Sequence, residues 1–594
     1  MKQFLITAAG VLVGLLIFLV GVPAVLIGMA VSSSGGEVAP DQTVLNLDLR
    51  ENLTDQDSGN PLAALRGGSL SVMTVISTLR HAETDDRVKA LLIRLPEGGM
   101  EPAAADEIRG AIKHFRATGK PVLAHSQGLY PSGMVTSTYA VGTSADEFWM
   151  QPGASFQVTG LANEDIFLKR LFDRYGVKAD YEQRYEFKNA VNTYLHDNYT
   201  DAHREAELGW MNSIYATATS AAAANRKQSP EAMTRALEAG PYLAEEAARL
   251  HLIDKVGQVK DAEEAILAKA GTEAELYDFQ DYARSAREID TGIGPAIAVV
   301  EAEGPIVTGN GGTSGNPFAG GSTIYSDTMA RALYNAIEDQ DVKAIVMRVN
   351  SPGGSDTASE QILAAVRTAK AVGKPVVVSM GTYAASGGYW ISSQASAIVA
   401  QPSTLTGSIG VFGGKFALGE ALARFGIDIR QIGVGSSYAG AFGMSREFTP
   451  RERAAFAAWM DQIYSNFVTR VAQGRKLPET RVREIAKGRV WTGEQAKQLG
   501  LVDQVGGFYD AVEKAKTLAN LKGEVRLKPM ATQMSTFQAL QQALGVSATS
   551  VRTLAAAAWV LGDPRAKGML DQIAEERLRG QVGGAAVLAP QTVH

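Results

Sequence analysis

The sequence repeats itself once, and no other feature restricts its fold as tightly. VKALLIRLPEGG (Val88–Gly99) and VKAIVMRVNSPG (Val342–Gly353) align without a gap at an offset of 254 residues. GKPVL from Gly119 and GKPVV from Gly373 keep that offset, as do Ser132-Gly133 and Ser386-Gly387. Gln151-Pro152 meets Gln401-Pro402 at 250, and LIDKVGQ (Leu252–Gln258) meets LVDQVGG (Leu501–Gly507) at 249. SGNP also recurs, at Ser58 and Ser314. A period this long is no solenoid unit; it is a whole domain copied. The chain has 594 residues, and a single core rarely grows past about 250–300. Two copies are therefore expected, over 34–290 and 291–522. Their linker is read near Ala283–Pro295 (ARSAREIDTGIGP), a charged, Gly-rich stretch that ends in Pro. Residues 523–594 are Ala- and Gln-rich, have no counterpart in the first copy, and read as a helical extension and tail.

Each copy alternates two hydrophobic periods. In the second, Ala296–Val300, Ala344–Val349 (AIVMRV) and Pro375–Met380 (PVVVSM) are short apolar runs that read as buried strands. Thr328–Asp339 and Gln361–Ala371 carry apolar residues at helical spacing. NSPGG (Asn350–Gly354) reads as a turn that ends the second strand. Strands alternating with helices imply parallel βαβ units and an α/β class.

The amino terminus predicts a different environment. Phe4–Val31 holds no charged side chain. At about 1.5 Å per residue a helix of this length reaches about 42 Å, enough to cross a hydrocarbon core of about 30 Å. A cleavable signal has an apolar stretch of only about 7–15 residues, so residues 1–33 are expected to be an uncleaved transmembrane anchor. Lys2 precedes the run and Glu37 and Asp41 follow it, which places the body on the exterior side. Ser32–Gly36 is a flexible neck. Thr553–Leu561 is too short to span and reads as a helix face packing on protein. The formal charge of −6, from 57 basic and 63 acidic residues, argues against nucleic acid as a partner. Cys is absent, which excludes disulfides, thiol nucleophiles and zinc-thiolate sites. No metal-ligand cluster, P-loop or dinucleotide fingerprint is present, and no cofactor is expected. Gly309–Gly321 is read as a loop before the Thr328 helix.

In open α/β sheets, ligand sites gather at the carboxyl ends of strands. Two segments of the second copy meet that condition: Asn350–Gly354, and Gly381–Trp390 (GTYAASGGYW). The second leads into a helix start near Ser386, where free N–H groups could hold an oxyanion. Ser386 could equally be a helix cap in a seam of small residues, and NSPGG an ordinary turn; their joint presence favours a nucleophile with its oxyanion hole. Gly387 and one of Gly353 or Gly354 would then be the donors. A serine nucleophile needs a base. The seven histidines include none between His251 and His594. The base must come from the first copy as an imidazole, or be a neutral lysine. A lysine would have to lose roughly 3 pKa units, at about 1.4 kcal/mol each, and burial can supply that.

The anchor, the duplication, NSPGG, ASGGYW and TGSIG (Thr406–Gly410) together resemble the signal peptide peptidase A family in its long, two-copy form. The resemblance covers roughly residues 1–520. NSPGG alone is shared with the wider Clp-protease and crotonase superfamily; the ordered set is far more specific. The resemblance implies two tandem Clp-protease/crotonase-like βαβ domains behind one transmembrane helix. It implies a Ser-Lys peptidase with Ser386 as nucleophile, the lysine of YEFKNA (Tyr185–Ala190), Lys188, as base, and Ser408 orienting the amine. It further implies remnant signal peptides as substrates, a homotetramer, and a bacterial inner membrane with the catalytic body outside. The lipid bilayer is a partner only through the amino-terminal helix.

The duplication supplies an independent check. The second-copy segment opposite YEFKNA, Ser436–Gly443, has no lysine. The first copy keeps Ser132-Gly133 but has Leu95-Pro96-Glu97-Gly98-Gly99 where the second has Val349-Asn350-Ser351-Pro352-Gly353, and Val158 where it has Ser408. Each copy is incomplete and the two are complementary, so one site at their junction is expected. Phe187 and Asn189 depart from the small or polar neighbours commoner in the family. Rival readings are an inactive membrane scaffold on a peptidase fold, a serine peptidase with a first-copy histidine base, and a crotonase-like acyl-CoA enzyme. The last would need acidic catalytic groups and a CoA site.

Overall fold

The computed structural model describes residues 39–51, 53–57, 70–289, 294–310, 322–532 and 585–588. The expected anchor Phe4–Val31, the neck Ser32–Gly36, the run Thr553–Leu561 and most of Gly309–Gly321 lie outside those residues. Among the described residues, no helix is long and apolar enough to cross a membrane.

The first sheet is built from β1 (Thr43–Asp48), β2 (Val88–Arg94), β3 (Val122–Ser126) and β4 (Glu147–Met150). After β5 (Lys178–Arg184), which leaves this sheet, β6 (Lys255–Val256) and β7 (Glu275–Asp278) complete it. The order is β6-β4-β3-β2-β1-β7, with every pair parallel. Helices α1 (Val72–Thr84) and α2 (Pro102–Ala117) are two of its crossovers, and α3 (Phe279–Ile289) closes the copy.

The second copy supplies β8 (Ala296–Glu303), β9 (Ile306–Val307), β10 (Ile324–Tyr325), β11 (Val342–Ser351), β12 (Gly353–Ser355), β13 (Val376–Ala385), β14 (Ala397–Ala400), β15 (Leu405–Gly407) and β16 (Val411–Ala417). They are followed by β17 (Val490–Thr492), β18 (Gln504–Val505), β19 (Arg526–Met530) and, far along the chain, β20 (Ala585–Leu588). Its helices include α4 (Ser326–Glu338), α5 (Asp356–Ala371), α6 (Gly387–Ser392), α7 (Pro450–Arg475) and α8 (Phe508–Leu518). The second sheet contains the path β18-β14-β13-β11-β8-β19, all parallel. This is the strand order of the first sheet with each strand replaced by its repeat. β15 adds beside the far end of β13 and carries β17 antiparallel. β11 and β13 are buried almost throughout, as strands covered on both faces must be.

The copies share a core. Val72 and Ile76 of α1 and Ala104 of α2 pack in one buried cluster with Ile297, Val299, Ala344, Val346 and Val377 of the second sheet. Helices of the first copy thus cover a face of the second. A third sheet crosses the same boundary, in the order β10-β9-β12-β20-β16-β5. In it β5 of the first copy runs antiparallel to β16 from Lys178↔Ala417 to Arg184↔Val411.

Three local expectations change. NSPGG is not a turn: β11 runs on to Ser351, the chain breaks at Pro352, and Gly353–Ser355 is a strand of the third sheet. Proline has no N–H for a ladder, and Gly353 at φ 110 takes a backbone other residues avoid, so the segment switches sheets without folding back. The first half of the expected linker is helix, because Phe279, Tyr282, Ala283 and Ala286 form a buried stripe at helical spacing. Within 523–594, expected as helical, the described residues include two strands, β19 and β20. β19 tolerates Pro529 because it lies at a sheet edge.

Candidate active site

Two strand ends and one loop from the other copy converge on Ser386. β13 ends at Ala385 and α6 begins at Gly387, so Ser386 occupies the sharp junction between them. Its backbone sits at φ 57, ψ −116, a conformation a side-chain-bearing residue adopts only when its surroundings impose it. The imposing contacts are Ser386 N donating to Gly407 O of β15 at 2.8 Å and Trp390 N donating to Ser386 O at 2.8 Å. Such a tight strand-to-helix turn holds a hydroxyl out from the sheet end.

Gly387 lies against the Gly353-Gly354 segment. A Cβ on Gly387 would stand 2.9 Å from Gly354 N and 3.1 Å from Gly353 Cα, so only glycine lets the two backbones meet. The Gly353 N–H donates to Ser351 Oγ at 3.2 Å. Asn350 holds the neighbouring strands in place: its Oδ1 accepts from Tyr383 N at 3.0 Å, and its Nδ2 donates to Glu303 Oε1 at 3.1 Å.

Lys188 arrives from the first copy. β5 delivers it, seated by Arg453 of α7 on Asp180 and Glu182 and by Arg184 on Asp461. The loop beyond β5 docks on the second copy: Phe187 N donates to Lys487 O at 3.2 Å, and the Arg489 guanidinium lies 4.8 Å from the centre of the Phe187 ring. Asn189 is buried and accepts from Asn192 Nδ2. Both residues that depart from the family pattern therefore brace the loop.

The lysine amine is fully buried, as are Ser386 and Ser408. Lys188 Nζ lies 2.7 Å from Ser386 Oγ, 2.9 Å from Ser408 Oγ and 3.0 Å from Ser408 O. Ser408 is held at φ 49, with its N–H donating to Arg489 O at 2.8 Å. Burial pushes the Lys188 amine well below the usual lysine range, and no carboxylate among the described residues contributes an opposing pull. A neutral amine has two N–H donors and one lone pair. The Ser408 carbonyl can only accept, and Ser408 Oγ can accept the second N–H. The lone pair is then left facing the Ser386 hydroxyl.

Ser386, Lys188, Ser408, Gly387, Gly353 and Gly354 thus stand together, while Ser132 is exposed elsewhere. The two buried histidines among the described residues are engaged elsewhere: His125 Nε2 is 3.0 Å from Gly257 O, and His203 Nε2 is 3.7 Å from both Asp165 and Glu207. Gly407, Gly488 and Arg489 were not legible as site residues. They act through backbone contacts between segments distant in sequence, joined by the Arg489 guanidinium on the Phe187 ring, and no residue-type signal marks such contacts.

The model of Peptidase family S49 matches residues 114–273 and 368–522. The chain belongs to peptidase family S49. Its two matched regions fall one in each copy, so the S49 unit is repeated and the enzyme is a serine peptidase. It is 34% identical to "Protease 4" of Salmonella typhi, over 85% of this chain and 83% of that protein. "Protease 4" of Haemophilus influenzae is 32% identical, over 87% and 86%. "Serine protease SPPA, chloroplastic" of Arabidopsis thaliana is 27% identical, over 89% of this chain and 76% of that protein.

Proposed function

We propose that this S49 peptidase hydrolyses apolar peptides with a Ser-Lys dyad formed between its copies, Ser386 as nucleophile and Lys188 as general base. The observation that carries the reading is the 2.7 Å separation of Lys188 Nζ and Ser386 Oγ in a buried setting with no carboxylate partner among the described residues. Neutral Lys188 accepts the Ser386 proton as Oγ attacks the scissile carbonyl. Backbone N–H groups of Gly387 and of Gly353 or Gly354 stabilise the oxyanion. Charged Lys188 then protonates the leaving amine, and water, deprotonated by the same lysine, releases the acyl group. Ser408 accepts hydrogen bonds from both amine N–H groups, through its carbonyl oxygen and its Oγ, and so aims the lone pair.

The substrates we assign are remnant signal peptides, on the resemblance of the ordered motifs and on the uncharged Phe4–Val31 segment that would hold the body at a bacterial inner membrane, facing outward. A homotetramer and a Clp-protease/crotonase-like fold for the copies, over 34–290 and 291–522, belong to the same reading. The test is hydrolysis of a fluorogenic apolar peptide by the full chain in detergent. Ser386→Ala and Lys188→Ala are each expected to lower kcat by at least about 10³-fold, with the far-ultraviolet circular dichroism unchanged. Undiminished turnover in Lys188→Ala would overturn the dyad.

A further inference from the structure

Arg348 has a counterpart in the first copy that lacks its partners. Arg94 stands 254 residues earlier, and each arginine faces the next strand in the same register: Arg94↔His125 between β2 and β3, Arg348↔Ser379 between β11 and β13. Two carboxylates reach Arg348 from the first copy. Asp55 accepts from Nε at 3.0 Å and from Nη2 at 2.6 Å, and Glu107 accepts from Nη1 at 3.0 Å. Glu107 also accepts the N–H of Phe508, the first residue of α8. Its carboxylate is thus held between a guanidinium and a helix N-terminus, two groups that favour an anion.

The first copy keeps the donors of this arrangement. The helix Val259–Ala270 corresponds to α8, and Val259 to Phe508 at an offset of 249. The two helix starts are built alike: Asp261 accepts from Gln258 N at 2.8 Å, as Asp510 accepts from Gly507 N at 2.8 Å. The first residue of a helix has no intrahelical acceptor for its N–H, and Val259 N has no other among the described residues. Arg94 is 9% exposed, and its buried Nε, the atom that in Arg348 donates to Asp55, has no hydrogen-bond partner among the described residues. Its Nη2 donates to Gln127 Oε1 at 3.3 Å, an acceptor that Arg50 Nη1 also uses at 2.8 Å. The carboxylates nearby are engaged: Asp48 with Arg50, Asp261 with Gln258 N, and Glu263 at 3.9 Å from Lys260. His125 gives its Nε2 proton to Gly257 O at 3.0 Å. Burial, and then the Arg50 charge, push Arg94 below the usual arginine range; against the same burial, Asp55 and Glu107 push Arg348 above it. A buried cation without a counter-charge is costly, and an anion beside it offsets that cost. Arg50 and Gln258 are exposed and Val259 is half-buried, so the place opens to solvent.

We infer that Arg94 and the Val259 N–H form a binding site for one carboxylate group, in the place that Glu107 takes beside Arg348. The carboxylate belongs to a peptide ligand and not to a second copy of this chain. On the repeat, a second copy would dock through α5, which has Gln361, a neutral amide, at the position of Glu107. The apolar face that first-copy helices cover in the second sheet is also already closed in the first. There Ala90, Leu92, Leu123 and Trp149 are buried with Ala262 and Ile266 of the Val259 helix. A side-chain carboxylate and a chain-end carboxylate share the chemistry that this site recognises. The inference stands apart from the roles of Ser386 and Lys188.

The test is isothermal titration calorimetry on full-length protein in detergent at fixed ionic strength. N-acetylglutamic acid α-amide offers a side-chain carboxylate, N-acetylleucine a chain-end carboxylate, and N-acetylglutamine amide is the neutral match. At least one carboxylate probe should bind at a single site per chain, and the neutral match at least about tenfold more weakly, for want of a charge-assisted hydrogen bond. The tighter carboxylate probe identifies the source. Arg94→Gln should weaken that probe at least about tenfold. If Arg94→Gln fails to fold, Val259→Pro decides. Proline suits the first position of a helix and removes only that N–H, and Gln258 before it is already extended at φ −69, ψ 161. Val259→Pro should weaken the probe at least about threefold. Equal binding of the neutral match, or unchanged affinity in these variants, overturns the inference. A sedimentation coefficient that changes in Arg94→Gln while no probe binds wild type also overturns it, since the arginine would then serve a contact between copies.

Discussion

At Lys188 no charged group among the described residues favours the protonated form of the buried amine, so desolvation sets its state. Activity should rise with pH as the amine loses its proton, with an inflection well below the ordinary lysine value of about 10.4. Stability should carry the same signature. Between the lowered folded value and the unfolded one, the unfolded chain binds a proton that the folded chain does not, so stability rises with pH across that window. Lys188→Met keeps the length of the side chain and removes the titration. The melting temperature of the variant relative to wild type should therefore be highest near neutrality and decline as the pH approaches 10, which differential scanning calorimetry would read. A constant difference would mean that the amine titrates normally. A second residue-scale expectation concerns Gly488. It sits at φ 80, and a Cβ there would lie 2.5 Å from Lys188 Cβ and 2.6 Å from Lys188 N. Gly488→Ala should push the lysine off the serine, and a misplacement of about 1 Å can cost about 10²-fold in kcat/KM. The same substitution at Gly373, where no described atom lies within 4 Å at a comparable φ of 85, should leave kcat/KM unaltered and serves as the control for backbone strain.

At the scale of elements, the fused copies meet on a buried ion cluster as well as on apolar packing. Arg348 on β11 is fully buried and donates to Asp55 at 2.6 Å and to Glu107 of α2 at 3.0 Å, both from the first copy. Glu107 also accepts from Phe508 N at the start of α8, and the Asp106 carboxylate accepts from Ser403 N. Just beyond Arg348 on the same strand stand Asn350 and Ser351, which border the glycine segment of the site. Arg348→Ala would strand two carboxylates away from water, and removing one member of such a buried group costs about 3–5 kcal/mol. Urea denaturation should show that loss. The triple change Arg348→Met, Asp55→Asn and Glu107→Gln should recover most of it, because no uncompensated charge remains. Beside this cluster, Glu303 is pushed up to about 7 by burial and by the Asp55 charge. Here the folded chain holds the extra proton, so this group favours the fold below its raised value and the contribution is lost as the pH rises through it.

For the whole molecule, the repeat and the alternation of apolar runs made the two parallel sheets legible, since buried strands and crossover helices leave local periodic marks. The pairing of Lys188 with Ser386 was legible from what each copy lacks, given a family pattern to compare. The seat of the lysine was not. β5 pairs with β16 across more than 200 residues, and Lys487 and Gly488 meet the lysine loop through backbone atoms, leaving no periodicity or residue type to read. The sheet switch at Pro352 was hidden for a related reason: Asn, Ser, Pro and Gly signal a break in one ladder without saying which other ladder takes the chain. Duplication also raises the question of a second site. Ser132 occupies the place in the first copy that Ser386 holds in the second, but it is exposed, and the lysine of its own copy is committed to Ser386. A serine without a base near it is a weak nucleophile. One reactive serine per chain is therefore expected. A fluorophosphonate-type probe should label close to one site per chain in wild type and in Ser132→Ala, and none in Ser386→Ala. Peptide turnover by Ser132→Ala should stay within twofold of wild type. Two labels per chain would show that the first copy retains a nucleophile of its own, and that the copies have not divided one site between them.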